Sequence, residues 1–146
     1  MVKLDELDFN EKVGQLFLIG IEGTDITDKA REMIENYKIG GVILYSRNYK
    51  SYDDMLKMIN KIKEINRNNK VPLFIAIDQE GGRVNRMPKE FKNIKSPKKI
   101  VSKKNIELVR ESMDITSKML LNSGVNMNIS PVLDIQRFKD NHPIRR

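Results

Sequence analysis

The chain has 146 residues, enough for one domain with a buried core, and its 27 Lys and Arg against 20 Asp and Glu give a formal net charge of +7. Cysteine is absent and the single histidine is His142, which leaves no disulfide framework or thiolate nucleophile and argues against a histidine metal cluster. The first residues, Met1 to Glu6, are charged rather than signal-like, and no apolar run is long enough to span a bilayer, so the expectation is a cytoplasmic protein without membrane contact.

The positive charge raises the question of nucleic acid. Lys57, Lys61, Lys63, Arg67 and Lys70, then Lys92, Lys95, Lys98, Lys99, Lys103 and Lys104, carry no interleaved aromatics of the kind that stack on bases. Solvated helix faces and loops account for them better, and a basic nucleic-acid-binding domain rests on net charge alone.

In chain order, Asp8 and Asn10 precede Glu11, Lys12 and Val13 as a short capped helical lead-in. Residues 16–21 (LFLIGI) then form a continuous apolar run, read as a first buried strand. Thr27 and Asp28 cap a helix carrying Ala30, Met33, Ile34 and Tyr37 at helical spacing, with Gly40 and Gly41 as its stop. Residues 42–45 (VILY) are the second strand. Ser51, followed by Asp53 and Asp54, caps a second helix whose stripe of Met55, Ile59 and Ile62 is core rather than a cofactor site.

Residues 71–77 (VPLFIAI) have the length and β-branched content of a third strand buried on both faces. Pro88 and Pro97 argue against a regular element across residues 87–101. Ser102 is then the expected cap of a third long helix with Ile106, Val109, Met113, Thr116 and Leu120 on its apolar face, stopped by Gly124. Residues 125–130 (VNMNIS) alternate, and in a closed barrel their polar set would reach the interior or mouth, bringing Asn128, Asp134 and Asp78 together. Strands alternating with helices imply parallel pairing with right-handed crossovers. Two α/β architectures fit: a small doubly wound sheet, or the first half of a (β/α)8 barrel, whose usual length is about 250 residues. Periodicity leaves both open.

The densest chemistry follows the third strand, in residues 78–86 (DQEGGRVNR). The carboxyl end of a parallel strand is where such sheets bind ligands, so acids, an amide and guanidiniums gathered there read as a polar-ligand site. The competing reading is a strand-to-loop junction in which Asp78 caps a turn and the arginines are solvated or ion-paired. By pattern alone, Asp78 and Glu80 would also pass for the carboxylate pair of a glycosidase.

IGGVILYSRN (39–48) followed at helix distance by IDQEGGRVNR (77–86), with EKVGQLFLIG (11–20) before them and GVNMNISPVLDI (124–135) after, resembles the family 3 glycoside hydrolases, in particular their single-domain β-N-acetylglucosaminidase branch. Four ordered motifs at the right separations are a far stronger signal than one glycine-rich hexamer. The resemblance implies the amino-terminal half of a TIM (β/α)8 barrel, spanning 1–146 as a single partial domain, in an enzyme that removes terminal non-reducing N-acetylglucosamine from glycans, muropeptides or chitin fragments. The implied chemistry is retaining, with an aspartate nucleophile and, in this branch, a histidine acid/base on a mobile loop. No metal or organic cofactor is implied.

In the family the histidine-bearing motif and the nucleophilic aspartate lie downstream of the fourth strand, and neither motif is found within these 146 residues. His142 is not a substitute, because its context DNHPI resembles the loop after strand four. No catalytic residue is therefore assigned. The resemblance carries two substrate-binding residues over: Asp78, matching an aspartate that accepts hydrogen bonds from sugar hydroxyls, and Arg86, matching an arginine that holds the sugar from the other side. Glu80 and Arg83 then read as braces of the Gly81-Gly82 turn, and a further substrate arginine falls near Arg145 and Arg146. The alternatives are a non-catalytic half-barrel that binds a sugar or another chain and, within the family, glucosidase specificity. Half a barrel should also self-associate, since it leaves open sheet edges and exposes strand residues among Leu16, Leu18, Val42, Leu44, Phe74 and Ala76.

Overall fold

A computed structural model describes residues 2–134. Its elements run α1 (Phe9–Gly14), β1 (Leu18–Gly20), α2 (Asp28–Glu35), β2 (Gly41–Leu44), α3 (Tyr52–Asn66), β3 (Phe74–Ile77), α4 (Pro97–Val101), α5 (Ile106–Asn122) and β4 (Met127–Asn128). The four strands form one parallel sheet in the order β1-β2-β3-β4.

That order separates the two architectures left open by periodicity. A doubly wound sheet reverses its strand order at a switch point and carries helices on both faces, whereas a barrel adds each strand beside the last and keeps its helices outside. Here Val42, Leu44, Ile75 and Ile77 join Ile34 of α2, Met55, Ile59 and Ile62 of α3 and Leu120 of α5 in one buried cluster. The main helices thus cover a single face of a sequentially ordered sheet, which is a half-barrel. Each such fully buried aliphatic chain contributes roughly 1.5–3 kcal/mol relative to exposure.

Side chains alternate along a strand, so the in-register set Leu18, Gly41 and Phe74 stands on the opposite, inner face, followed by Gly20, Ile43, Ala76 and Met127. This sidedness corrects the expected list of strand residues turned to solvent. Val42 and Leu44 are on the helix face and 0% exposed, and Ala76, although on the inner face, is also 0% exposed. Leu18 (39%) and Phe74 (51%) do show to solvent, while Leu16 (83%) precedes the strand.

The helix starts at Thr27 and Ser51 form as read. Thr27 Oγ1 accepts from Ala30 N–H, and Ser51 makes a reciprocal capping box with Asp54. Three helix boundaries differ. α2 ends at Glu35 rather than at the glycine pair, because Lys38 takes the left-handed turn (φ 52°) and its ammonium ties down the Glu35 carbonyl and Asn69 Oδ1. Gly41 is thereby released to open β2. Pro97, taken as a breaker, occupies the first turn of α4, where its missing N–H costs nothing. Ser102 closes α4, and the cap of α5 is Asn105, whose Oδ1 accepts from Glu107 and Leu108 N–H. Gly124 (φ 86°) does follow the end of α5, and β1 is confined to three residues of the apolar run. No helix among the described residues is long and apolar enough to cross a membrane.

Gly41 shows how tightly the inner face closes over β2. A Cβ there would lie 2.6 Å from Leu18 Cδ1, 2.7 Å from the Phe74 carbonyl oxygen and 2.8 Å from Phe74 Cβ, and the carbonyl is ladder backbone that cannot move aside alone. Gly41→Ala should lower stability by about 1–3 kcal/mol, the usual cost of overpacking. Urea unfolding of the variant with an unshifted midpoint would show that β1, β2 and β3 do not close over Gly41 in this way.

Candidate functional site

Asp78 is the first residue after β3, at the carboxyl edge of the sheet. The chain then loops out and returns so that Arg86 Nη2 lies 3.3 Å from Asp78 Oδ2, with both side chains about one quarter exposed. The structure therefore brings together the two residues singled out for a sugar site. The return is made by Gly81 (φ 87°) and Gly82 (φ 62°), backbone conformations that side chains with a Cβ rarely adopt, and by the N–H groups of Glu80 and Gly81, which both donate to the Val84 carbonyl. The tip is pinned from outside, since Gly82 N–H donates to Ile94 O (2.7 Å) and Asn93 Nδ2 donates to Gly82 O (2.7 Å).

The loop is also braced by Gln79, which is 2% exposed. Its Oε1 accepts from the N–H groups of Arg86 (2.7 Å) and Met87 (3.3 Å), and its Nε2 donates to Asn85 Oδ1 (2.8 Å). One buried amide thus closes both ends of the loop. Asn128 of β4 grips Gln79 in turn: its Oδ1 accepts from Gln79 N–H (3.0 Å) and its Nδ2 donates to Gln79 O (3.1 Å), replacing a strand's backbone ladder with a side chain. On the other side Tyr49, 4% exposed, donates its hydroxyl to the Arg86 carbonyl (3.0 Å). Burial pushes the Tyr49 phenol up to about 12, against the opposing pull of the Arg86 charge, so it remains a donor throughout the neutral range.

Two further features complete the mouth. The Tyr45 ring, just past β2, lies beneath the Arg86 guanidinium (5.8 Å to the ring centroid) and beneath that of Arg47 (4.3 Å), within cation–π reach. Asn48, 1% exposed, accepts from Tyr45 N–H and donates to the carbonyls of Ile21 and Gly23, tying the ends of β1 and β2 together. Arg86 Nε is shielded from water and has no hydrogen-bond partner among the described residues, an omission that ordinarily costs about 1–3 kcal/mol.

Of the three residues expected to converge, Asn128 reaches the backbone next to Asp78, and Asp134 is grouped with the nearby Glu80. Asp134 lines a cavity of about 640 Å³ with Glu80, Arg83 and Lys95, whose described walls include neither Asp78 nor Arg86. His142, Arg145 and Arg146 lie outside the described residues. Gln79 was counted from the sequence only as the amide of the polar cluster, without its clamping role, and Tyr49 and Asn48 were not found as site residues. An amide or phenol that binds backbone leaves no periodic or charge signal, although the quoted motifs contain Gln79 and Asn48.

The beta-hexosaminidase of Alkalilimnicola ehrlichii is 32% identical to this chain over 126 residues, covering 82% of the chain and 35% of that protein, and the beta-hexosaminidase of Photobacterium profundum is 31% identical over 119 residues, covering 81% and 35%. The structure of a glycoside hydrolase family 3 beta-N-acetylglucosaminidase from Paenibacillus sp. str. FPU-7 superposes with a TM-score of 0.84 at 34% identity, over 88% of this chain and 25% of that one. NagZ from Neisseria gonorrhoeae, in complex with N-trifluoroacetyl-D-glucosamine, shares the fold at a TM-score of 0.70 and 24% identity, over 81% and 36% of the two chains. The chain spans about a third of the length of the curated relatives it matches. Its residues 8–146 match the glycosyl hydrolase family 3 N terminal domain, and the chain belongs to that family.

Proposed function

We propose that this chain supplies part of the sugar-binding end of a retaining hydrolase that removes terminal, non-reducing N-acetylglucosamine from glycans or muropeptides, in cytoplasmic recycling of cell-wall material. The observation that carries the reading is the Asp78–Arg86 pair, held 3.3 Å apart at the carboxyl edge of β3. A carboxylate accepts from two neighbouring hydroxyls at once, and a guanidinium donates several bonds from one plane, so the pair can hold a pyranose ring by its edge. The names of the relatives support the hydrolase class, and the resemblance of the sequence motifs to the N-acetylglucosaminidase branch supports the sugar. Nucleophile and acid/base are assigned to neither Asp78 nor Glu80.

Two outcomes follow for activity. The 146-residue polypeptide by itself should not release the chromophore from a chromogenic N-acetylglucosaminide, because the groups that attack and protonate are not among its assigned residues. Turnover that co-purifies with this polypeptide would refute that assignment. In the enzyme that contains this domain together with the nucleophile and acid/base motifs, Asp78→Ala should lower kcat/KM by a few kcal/mol of transition-state binding, as unpairing of buried polar partners does. A kcat/KM equal to that of the parent would place the sugar elsewhere.

A reading about assembly rests on a different observation. β1 and β4 are the edges of the described sheet, and Leu18 and Phe74 stand exposed on its inner face. For the 146-residue polypeptide in solution we propose that two or more copies cover this face, closed two-fold pairs being the commonest arrangement of identical chains. Light scattering should give at least a dimer at micromolar concentration. A compact monomer whose unfolding is independent of protein concentration would rule the assembly out.

A further inference from the structure

We propose that Gln79 and Tyr49 are positioning residues that aim the Arg86 guanidinium at the ligand side of Asp78, with Asn128 anchoring the clamp to β4. The proposal rests on the reading of the Asp78–Arg86 pair as the sugar site. Arg86 belongs to no helix or strand, yet both of its backbone polar groups are taken by buried side chains: its N–H by Gln79 Oε1 and its carbonyl by the Tyr49 hydroxyl. The ion pair alone could not hold the residue so firmly. It is one long bond of 3.3 Å between partly exposed groups, where a bidentate pair would show two shorter ones.

The clamp links the two charged residues by the shortest covalent route. Gln79 directly follows Asp78, and Asn128 holds both the N–H and the carbonyl of Gln79. Fixing Gln79 therefore fixes the backbone of Asp78 on one side, and through the buried amide the backbone of Arg86 on the other. Between them lie Gly81 and Gly82, which would otherwise let the loop wander. The guanidinium is oriented from its backbone, and its shielded Nε has no hydrogen-bond partner among the described residues. Such pre-organisation is what makes a pair of charged groups a binding site.

The test compares the parent chain with Gln79→Met, which keeps length and removes the acceptor, and with Tyr49→Phe, which removes one hydroxyl and keeps the ring. Three readouts are taken: the melting temperature, the exchange rate of the Arg86 Nε–H proton in nitrogen-proton spectra, and the affinity for N-acetylglucosamine by titration. Exchange should quicken at least tenfold in Gln79→Met and about threefold in Tyr49→Phe, while the Gly82 amide held by Ile94 is unaffected. The sugar affinity should fall about tenfold in Gln79→Met. If both variants melt lower but keep the parent's Arg86 signal, the residues are only braces and the proposal is overturned. If the parent binds no N-acetylglucosamine but the Arg86 signal responds as expected, positioning stands and the sugar reading fails. Should Gln79→Met not fold, an Arg86 signal in Tyr49→Phe equal to the parent's overturns the proposal by itself.

Discussion

The half-barrel depends on the burial of one face of the sheet. Val42, Leu44, Ile75 and Ile77 are each 0% exposed, and α2, α3 and α5 reach the same cluster from outside. Because the strands are parallel, their carboxyl ends are all delivered to one edge, and everything polar in the site hangs from that edge. Asp78 gains its place by following Ile77, a residue the core cannot release, and Tyr45 by following Leu44. The packing therefore sets the positions of residues that take no part in it.

The same packing explains which parts of the fold could be read beforehand. Helix positions were legible where caps and apolar stripes agreed, as at Ser51 with Met55, Ile59 and Ile62. The strands β2 and β3 were legible as apolar runs, but their sidedness was not, since Ile43 and Val42 or Phe74 and Ile75 look alike in a sequence and differ only in whether a helix covers them. The misplaced boundaries share a cause. Ser102 and Gly40 are good local signals overridden by neighbours: Asn105 caps α5 with two bonds, and Lys38 can adopt the left-handed turn because its ammonium is tied back to the helix end.

In the site, the charged residues were legible and the bonds made by their supports were not. Asp78 and Arg86 are conspicuous after an apolar run, and their motif resembles that of a known family. Gln79, Asn128, Asn48 and Tyr49 do their work by bonding to backbone amides and carbonyls that have no sequence identity. Asn128 was expected near Asp78 from strand alternation, and it arrives there, but by gripping Gln79 rather than by facing Asp78 in an open mouth. Asp134, drawn from the same alternation, lies beyond the two residues of β4 and lines a cavity with Glu80, Arg83 and Lys95.

The energetic character of the pair follows from this division of labour. An ion pair at a partly exposed site contributes little to folding, about 0–1 kcal/mol. Folding stability alone would not select such an arrangement. It becomes understandable if the loop is held from its backbone, by groups buried deeply enough to repay their own ordering, so that the charged side chains need not be the source of their own placement. Groups held in this way meet a ligand without first surrendering strong bonds to each other, and the interaction energy is then available to the complex instead of being consumed in rearranging the free protein.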